Sequence, residues 1–171
     1  ENKTVLVTGA AGNLGQAVAA AFAAQGARLV LLGRSVASLQ AALGEAGEQR
    51  LYVAADLLDG PQVAAALAAA VQRFGRIDVL CNLAGGFRMG DAVHETTDST
   101  WDFLMDINAR TLLNMAKSVV PHLLAHGGGK IVNVGAFAAQ RGAAKMGAYC
   151  AAKSSVIRPT EAMAAESRQK N

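Results

Sequence analysis

Residues 4–26, TVLVTGAAGNLGQAVAAAFAAQG, decide the fold. Thr4–Thr8 is a short β-branched run and reads as a buried strand. An alanine-rich helix follows to about Gln25, where Gly26 stops it. Between them lies GAAGNLG, residues 9–15. Gly9 permits a tight turn, Gly12 lets backbone approach a diphosphate, and Gly15 lets the helix pack close to the strand. The helix start, with Asn13 and Leu14 in its first turn, offers free N–H groups and a positive dipole end to phosphate. Gly9, Gly12, Asn13, Leu14 and Gly15 are therefore candidate phosphate-binding residues. A glycine-rich turn that holds no ligand is the alternative.

Outward from this stretch the pattern repeats. Strands are expected at 28–32, 51–55, 77–82 and 130–134. Helices are expected from Ser35 to about Ala46, around Pro61 to about Phe74, from Asp98 or Ser99 to about Ala125, and from near Met146 toward Glu166. Pro61 suits a first helical turn, where its missing N–H costs nothing. Strand and helix alternating in this way predict an α/β fold, a doubly wound parallel sheet of five strands with helices on both faces. Right-handed crossovers leave few topologies. No repeat, linker or low-complexity segment divides residues 1–171, which read as a single dinucleotide-binding domain.

Composition agrees. The chain has 171 residues, 5% of them aromatic, and a formal charge of +3. Its lysines and arginines are scattered, which argues against a nucleic-acid partner, while a mild positive excess suits an anionic small ligand. Cys81 and Cys150 lie far apart in no metal-like spacing and read as reduced thiols of a cytoplasmic protein. His122 and His126 share a helix turn but lack zinc-site context, so they read as a surface pair, and no metal is expected. The apolar run 63–71 is too short to span a membrane.

Two further clusters carry chemistry. The second strand ends in Gly33-Arg34, with a guanidinium where a carboxylate would hydrogen-bond the adenosine ribose of NAD. That favours the 2′-phosphate of NADP(H), with NAD(H) possible. Asp56, after the third strand, is placed to accept from an adenine amino group, or else to cap the helix near Pro61. Tyr149 and Lys153 are i and i+4 on one helix face. A nearby ammonium lowers a phenol's pKa, so Tyr149 is a candidate acid/base and Lys153 its cationic partner. Asn108 falls on the apolar stripe of Trp101, Leu104, Leu112, Met115, Val119 and Leu123. It reads either as a structural amide satisfied by backbone or as the holder of a water that relays protons beside Lys153.

Taken together, TGAAGNLG, the GR after the second strand, DL at Asp56, NLAG at 82–85, IN at Asn108, GKIVNV and YCAAK resemble the short-chain dehydrogenase/reductase family, in its common single-domain oxidoreductase branch. The resemblance implies a Rossmann fold, a nicotinamide cofactor, a small carbonyl or alcohol substrate, and a homodimer or homotetramer. It implies catalytic roles for Asn108, Tyr149 and Lys153, with Tyr149 and Lys153 also contacting the cofactor. It adds Leu57, Asn82, Ala84 and Gly85 to the residues lining the cofactor.

The chain also departs from that pattern. The family's serine, thirteen residues before the tyrosine, is Ala136 here, with Gly135 before it. Losing one preorganised donor to the substrate oxygen costs on the order of 10²–10³ in rate. Ser154 and Ser155 point elsewhere on the helix. Pro159 sits inside the last helix, at ~3 kcal/mol or more unless the helix kinks. Full members of the family continue through further strands and a substrate lobe, which leaves the fifth strand here as a sheet edge. These features raise the alternative of a catalytically silent dinucleotide-binding protein or an inactive oligomer subunit. An extended-branch epimerase or dehydratase fits less well, because such proteins need a sizeable C-terminal domain.

Overall fold

The computed structural model describes residues 2–168. Their contacts group into two compact units, the first formed by the chain up to residue 84 with 113–132, the second by 85–112 with 133 onward.

The first unit is built on β1 (Thr4–Thr8), β2 (Arg28–Gly33), β3 (Arg50–Ala54), β4 (Val79–Asn82) and β5 (Lys130–Asn133), which form one sheet in the order β3-β2-β1-β4-β5. The pairs β1–β2, β2–β3 and β1–β4 are parallel, with Val5 opposite both Leu29 and Val79. The chain leaves β1 toward β2 on one side and returns to β4 on the other, so β1 and β4 flank the point where strand order reverses. Ligands of open α/β sheets bind at such a point, outside the carboxyl ends of the strands.

Burial follows the two-residue period of the strands. Val5, Val7, Leu29 and Leu31 face α1 (Asn13–Ala24) and α2 (Val36–Leu43), packing with Ala19, Leu39 and Tyr52. Leu6, Val30 and Leu32 face the other way, against α3 (Gly60–Phe74) and α5 (Thr111–Ala125), meeting Val63, Ala66, Phe74, Met115, Val119 and Leu123. Both faces of β1 are therefore covered, and all five of its residues are buried. Each fully buried Leu or Val contributes roughly 1.5–3 kcal/mol.

The sheet and its layers match the sequence expectation; several boundaries move for identifiable reasons. α2 ends at Leu43, not near Ala46, because Gly44 takes φ 77°. β3 begins and ends one residue earlier than expected. β4 begins at Val79 rather than Ile77. Before it, Ile77 N–H donates to His122 Nε2 at 3.1 Å, and the Asp78 carboxylate accepts from Thr4 N at 2.9 Å. His122 and His126 are thus more than a surface pair. The first closes a backbone bond, and their rings sit 4.1 Å apart. Asp59, not Asp56, caps α3, with Oδ1 accepting from Gln62 N.

The second unit holds α4 (Asp98–Met105), a π turn (Asp106–Arg110) and α6 (Gly147–Arg168), with short 3-10 turns at Val93–Glu95 and Phe137–Ala139. α4 opens at Asp98, as expected, and Thr97 before it caps the helix through its side chain. The expected helix to Ala125 forms without a gap, with a π turn between α4 and α5. Trp101 leaves the predicted buried stripe and is 45% exposed, whereas Leu104 and Asn108 are buried. α6 is helical straight through Pro159. Near it, Thr160 Oγ1 donates to Val156 O at 2.7 Å and accepts from Asn133 Nδ2 at 2.8 Å.

Burial holds the His122 pKa below its ordinary 6.5, helped by His126 and Arg76. For Asp78 burial pushes upward, but the Thr4 N–H, Lys3 and Arg76 outweigh it and leave the pKa below 3.8. A depressed histidine binds fewer protons folded than unfolded, so stability present above about pH 6.5 falls as pH drops through the folded value. Asp78 adds a second loss below about pH 3.8 by the same sign. Thermal melts of His122→Gln, which keeps an acceptor but does not titrate, are expected to lose the first fall and keep the second. Identical profiles for variant and parent would refute the assignment.

Candidate functional site

In the first unit the site begins where β1 ends. Thr8 Oγ1 accepts from Leu83 N and Ala84 N, both at 3.0 Å, which ties the loop after β4 to the central strand. The next residue, Gly9, has φ 63°, and a Cβ on it would lie 3.0 Å from Ala84 backbone. A Cβ on Gly15 would lie 2.3 Å from Gly9 O and 2.7 Å from Ala10 Cα. Only glycine permits this crossing of β1, loop and α1. Gly12 N–H donates back to Gly9 O at 3.1 Å, which closes the turn.

Gly12 is the N-cap of α1, and no side chain caps the helix. The first-turn N–H groups, from Asn13 through Gly15, thus open on a bend free of side chains at its glycines, and Leu14 is half exposed. This cradle, which a Cβ would fill, fits a diphosphate. Arg34 is exposed and makes no ion pair among the described residues. Asp56 Oδ1 accepts from Leu58 N at 2.9 Å, a local turn bond, while Leu57 is partly buried against the core. Asn82 is buried at the end of β4, opposite Thr8. The first unit therefore gathers Gly9, Gly12, Asn13, Leu14, Gly15, Asn82 and Ala84 around the β1 terminus.

In the second unit, Tyr149 and Lys153 stand one turn apart near the start of α6. Lys153 is 7% exposed, and its Nζ donates to Val134 O at 3.2 Å. Burial pushes its pKa down. No acid pairs with it among the described residues. An ammonium has three donors, and one carbonyl is meagre compensation for lost water. Tyr149 is partly buried in the same unit, and its ring meets Phe87 edge-on at 4.8 Å and 82°.

Asn108 lies in the π turn, 3% exposed. Its Nδ2 donates to Gly86 O and Leu104 O, both at 2.9 Å, and its Oδ1 accepts from Gly86 N at 3.2 Å. Both amide donors are spent on backbone, as expected of a structural asparagine. A Cβ on Gly85 would meet Asn108 Oδ1 at 2.9 Å and Lys153 Nζ at 3.2 Å, so both groups close on the same glycine. Ala136 is extended and partly buried, presenting a methyl group. Ser154 Oγ donates to Ala139 O and Ser155 Oγ to Ala152 O, so neither is turned to replace a missing hydroxyl.

Three contributors are not evident from the sequence. Thr8 looks like the last residue of a strand; a polar residue ending a wholly apolar run is the available signal. The π turn leaves no pattern, since one extra residue per turn does not alter composition. Phe87 and Arg88 are hidden in a loop without periodicity. Cys81 and Cys150 are buried, and burial pushes the Cys81 thiol up, so it is a packing residue. Among the described residues no cluster of acids, histidines and cysteines could hold a metal, and no helix is long and apolar enough to cross a membrane.

Comparison with known proteins adds independent findings. The family described as short chain dehydrogenase matches residues 3–171. Sorbitol dehydrogenase of Cereibacter sphaeroides is 35% identical over 94% of this chain and 63% of its own length. D-threitol dehydrogenase of Mycolicibacterium smegmatis is 36% identical over 97% of this chain and 65% of its own length. The chain thus spans just under two thirds of these relatives. Among solved structures, a short-chain dehydrogenase from Streptomyces avermitilis superposes with a TM-score of 0.92 at 28% identity, covering 100% of this chain and 63% of that one. A 3-ketoacyl-(acyl-carrier-protein) reductase from Brucella melitensis, solved with NADH, gives 0.90 at 31% identity, over 99% and 72%.

Two glycines are tests of this geometry. Gly15→Ala is expected to lower stability by about 1–3 kcal/mol, because backbone rather than a flexible side chain must give way. Gly85→Ala should move the Asn108 side-chain amide resonances in a nitrogen–proton NMR spectrum. Unchanged denaturation midpoints for the first, or unmoved resonances for the second, would show these close approaches to be wrong.

Proposed function

This chain belongs to the short-chain dehydrogenase family, and from that premise we propose that it interconverts an alcohol and a carbonyl by hydride transfer, with Tyr149 as acid/base. The observation that carries the reading is the buried Lys153 ammonium. It has no acid partner among the described residues and sits one helical turn from a phenol. In alcohol oxidation the Tyr149 phenolate takes the hydroxyl proton as the carbon gives up hydride; in carbonyl reduction the phenol returns that proton to the oxygen. A nicotinamide dinucleotide, when bound, supplies or accepts the hydride. Gly9, Gly12, Asn13, Leu14 and Gly15 would hold its diphosphate, with Asp56, Leu57, Asn82, Ala84 and Gly85 as further contacts. Lys153 would also donate to the ribose beside the nicotinamide.

Asn108 acts in this reading by holding Gly86, and through that loop the surroundings of Lys153. A water relay beside the ammonium would use its remaining Oδ1 lone pair. Arg34 is the basis for preferring NADP(H): it is a planar cation free to take a 2′-phosphate where NAD-binding sites carry an acid. The relatives named above are dehydrogenases of sorbitol and D-threitol, so polyols are the first substrates to assay. Assembly as a homodimer or homotetramer and a cytoplasmic setting belong to the same proposal.

Ala136 supports a second reading, that of a silent dinucleotide-binding protein. A methyl group cannot steady a substrate oxygen, and Ser154 is committed elsewhere. The two readings make different predictions. On the enzyme reading, Tyr149→Phe lowers kcat about 10²–10⁴-fold without changing dinucleotide affinity, and Ala136→Ser raises it by about 10²–10³. Turnover absent from both the parent and Ala136→Ser would select the silent reading.

Cofactor choice is tested by fluorescence titration. Arg34→Asp is expected to weaken NADPH binding at least tenfold while changing NADH little. Equal losses would sink the 2′-phosphate assignment. A flat titration of the parent with both dinucleotides would remove both readings.

A further inference from the structure

The second unit carries two exposed cations, Arg88 and Lys145, that hydride transfer does not use. Tyr149 lines a shallow, solvent-open cleft together with Arg88 and Lys145. The Arg88 guanidinium lies 3.6 Å from the centroid of the Phe103 ring, a cation–π contact that orients its plane and spends none of its N–H donors. Its chain neighbour Phe87 is the ring against which Tyr149 rests. The phenol and the guanidinium are thus fixed by adjacent residues of one loop. Gly90 N donates to Lys145 O at 2.8 Å, tying the segment that carries Lys145 to this loop. Lys145 has φ 60°, an uncommon conformation for a residue with a side chain and one that clusters at ligand-binding sites.

Neither cation has an ion-pair partner among the described residues. Asp91 is the one acid in the lining, and it pairs with neither. The remaining polar groups there include the hydroxyls of Thr96 and Thr100. A stacked guanidinium with no hydrogen-bond or ion-pair partner among the described residues, in one cleft lining with a lysine, matches a planar or tetrahedral oxyanion: the fork binds two oxygens at once, an ammonium acts as a point charge. A neutral polyol would leave both cations unused.

On the oxidoreductase reading above, we propose that Arg88 and Lys145 bind an anionic group of the substrate, so that the alcohol or carbonyl turned over bears a carboxylate, phosphate or sulfonate. The cations are specificity residues. They fix the anionic end, and the phenol meets the carbon to be oxidised or reduced.

Matched pairs test this: 2-oxobutanoate against its methyl ester, glycerol 3-phosphate against glycerol, and 2-hydroxyethanesulfonate against ethylene glycol. Binding to the full chain in the presence of NADP⁺ is followed by the shifts of the Arg88 Nε–H and Tyr149 resonances, independently of turnover. At least one anionic member is expected to bind ten or more times more tightly than its neutral partner, and the pair that shows it identifies the anion. Arg88→Met should abolish that preference without weakening the neutral partner, Arg88→Lys should restore part of it, and the preference should shrink with added salt. If Arg88→Met disturbs the fold, Lys145→Met carries the same comparison. Equal binding within every pair, no binding by any compound, or a preference that survives both Met variants would overturn the proposal. Turnover of neutral carbonyls with no anion preference would remove this inference and leave the hydride-transfer reading standing. Selective anion binding with no turnover of any compound would uphold the anion site and sink hydride transfer.

Discussion

Everything in the first unit is organised by how closely the backbone leaving β1 approaches its neighbours. Gly15 passes within a forbidden Cβ distance of the Gly9 carbonyl, and Gly9 itself lies against Ala84. Thr8 holds that approach by accepting two N–H groups from the loop after β4. Because β1 is buried on both faces, its position is set by α1 and α2 on one side and α3 and α5 on the other. The loop therefore inherits rigidity from two hydrophobic layers, although its own glycines have little to pack with. A helix end exposed without a capping side chain is tolerated there because it leads into solvent.

The strands and their order of faces were legible in the sequence because burial on both sides demands unbroken apolar runs. Residues 5–7 and 29–32 carry no polar side chain. The phosphate loop was legible because glycine is the one residue whose placement reports backbone geometry directly. Tyr149 and Lys153 were legible as a spacing, but their difference in environment was not. The spacing puts them on one face; only packing shows that the ammonium is buried, with one carbonyl for company. Trp101 was misplaced for the opposite reason. Trp101 lies near the start of α4, one turn before the buried Leu104, and spacing alone does not record where the covering layer ends. His122 was misjudged because its partner is a backbone N–H forty-five residues away, which no local pattern records.

Asn108 shows how a residue can be correctly singled out and differently used. A polar residue on an apolar stripe must be satisfied, and here it is satisfied by Gly86 and Leu104. Its amide is then a strut between helix and loop. Around this strut stand a glycine with no room for a methyl group, a cation with no acid partner among the described residues, and a phenol one turn before it. Ala136 is the contrary element. Where the pattern of the rest calls for a hydroxyl, the chain supplies a surface that repels water and donates nothing. On the proposal above, Arg88 and Lys145, without ion-pair partners among the described residues, would offer a different kind of grip, on a remote part of a bound molecule rather than on the atom that reacts.

The π turn has a consequence for how this chain can change over time. A helix counts its residues, and each one removed rotates the remainder of the helix by roughly 100°. Within residues 106–110 one residue more than the α period requires has been accommodated. Substitutions there leave the count intact, so side chains can drift as long as Asn108 keeps its bonds. A single-codon deletion would restore the ordinary period and swing Asn108 away from Gly86 in one step. The segment is therefore permissive to missense change and closed to frame-preserving loss, an asymmetry that a library of deletions would expose and a library of substitutions would not.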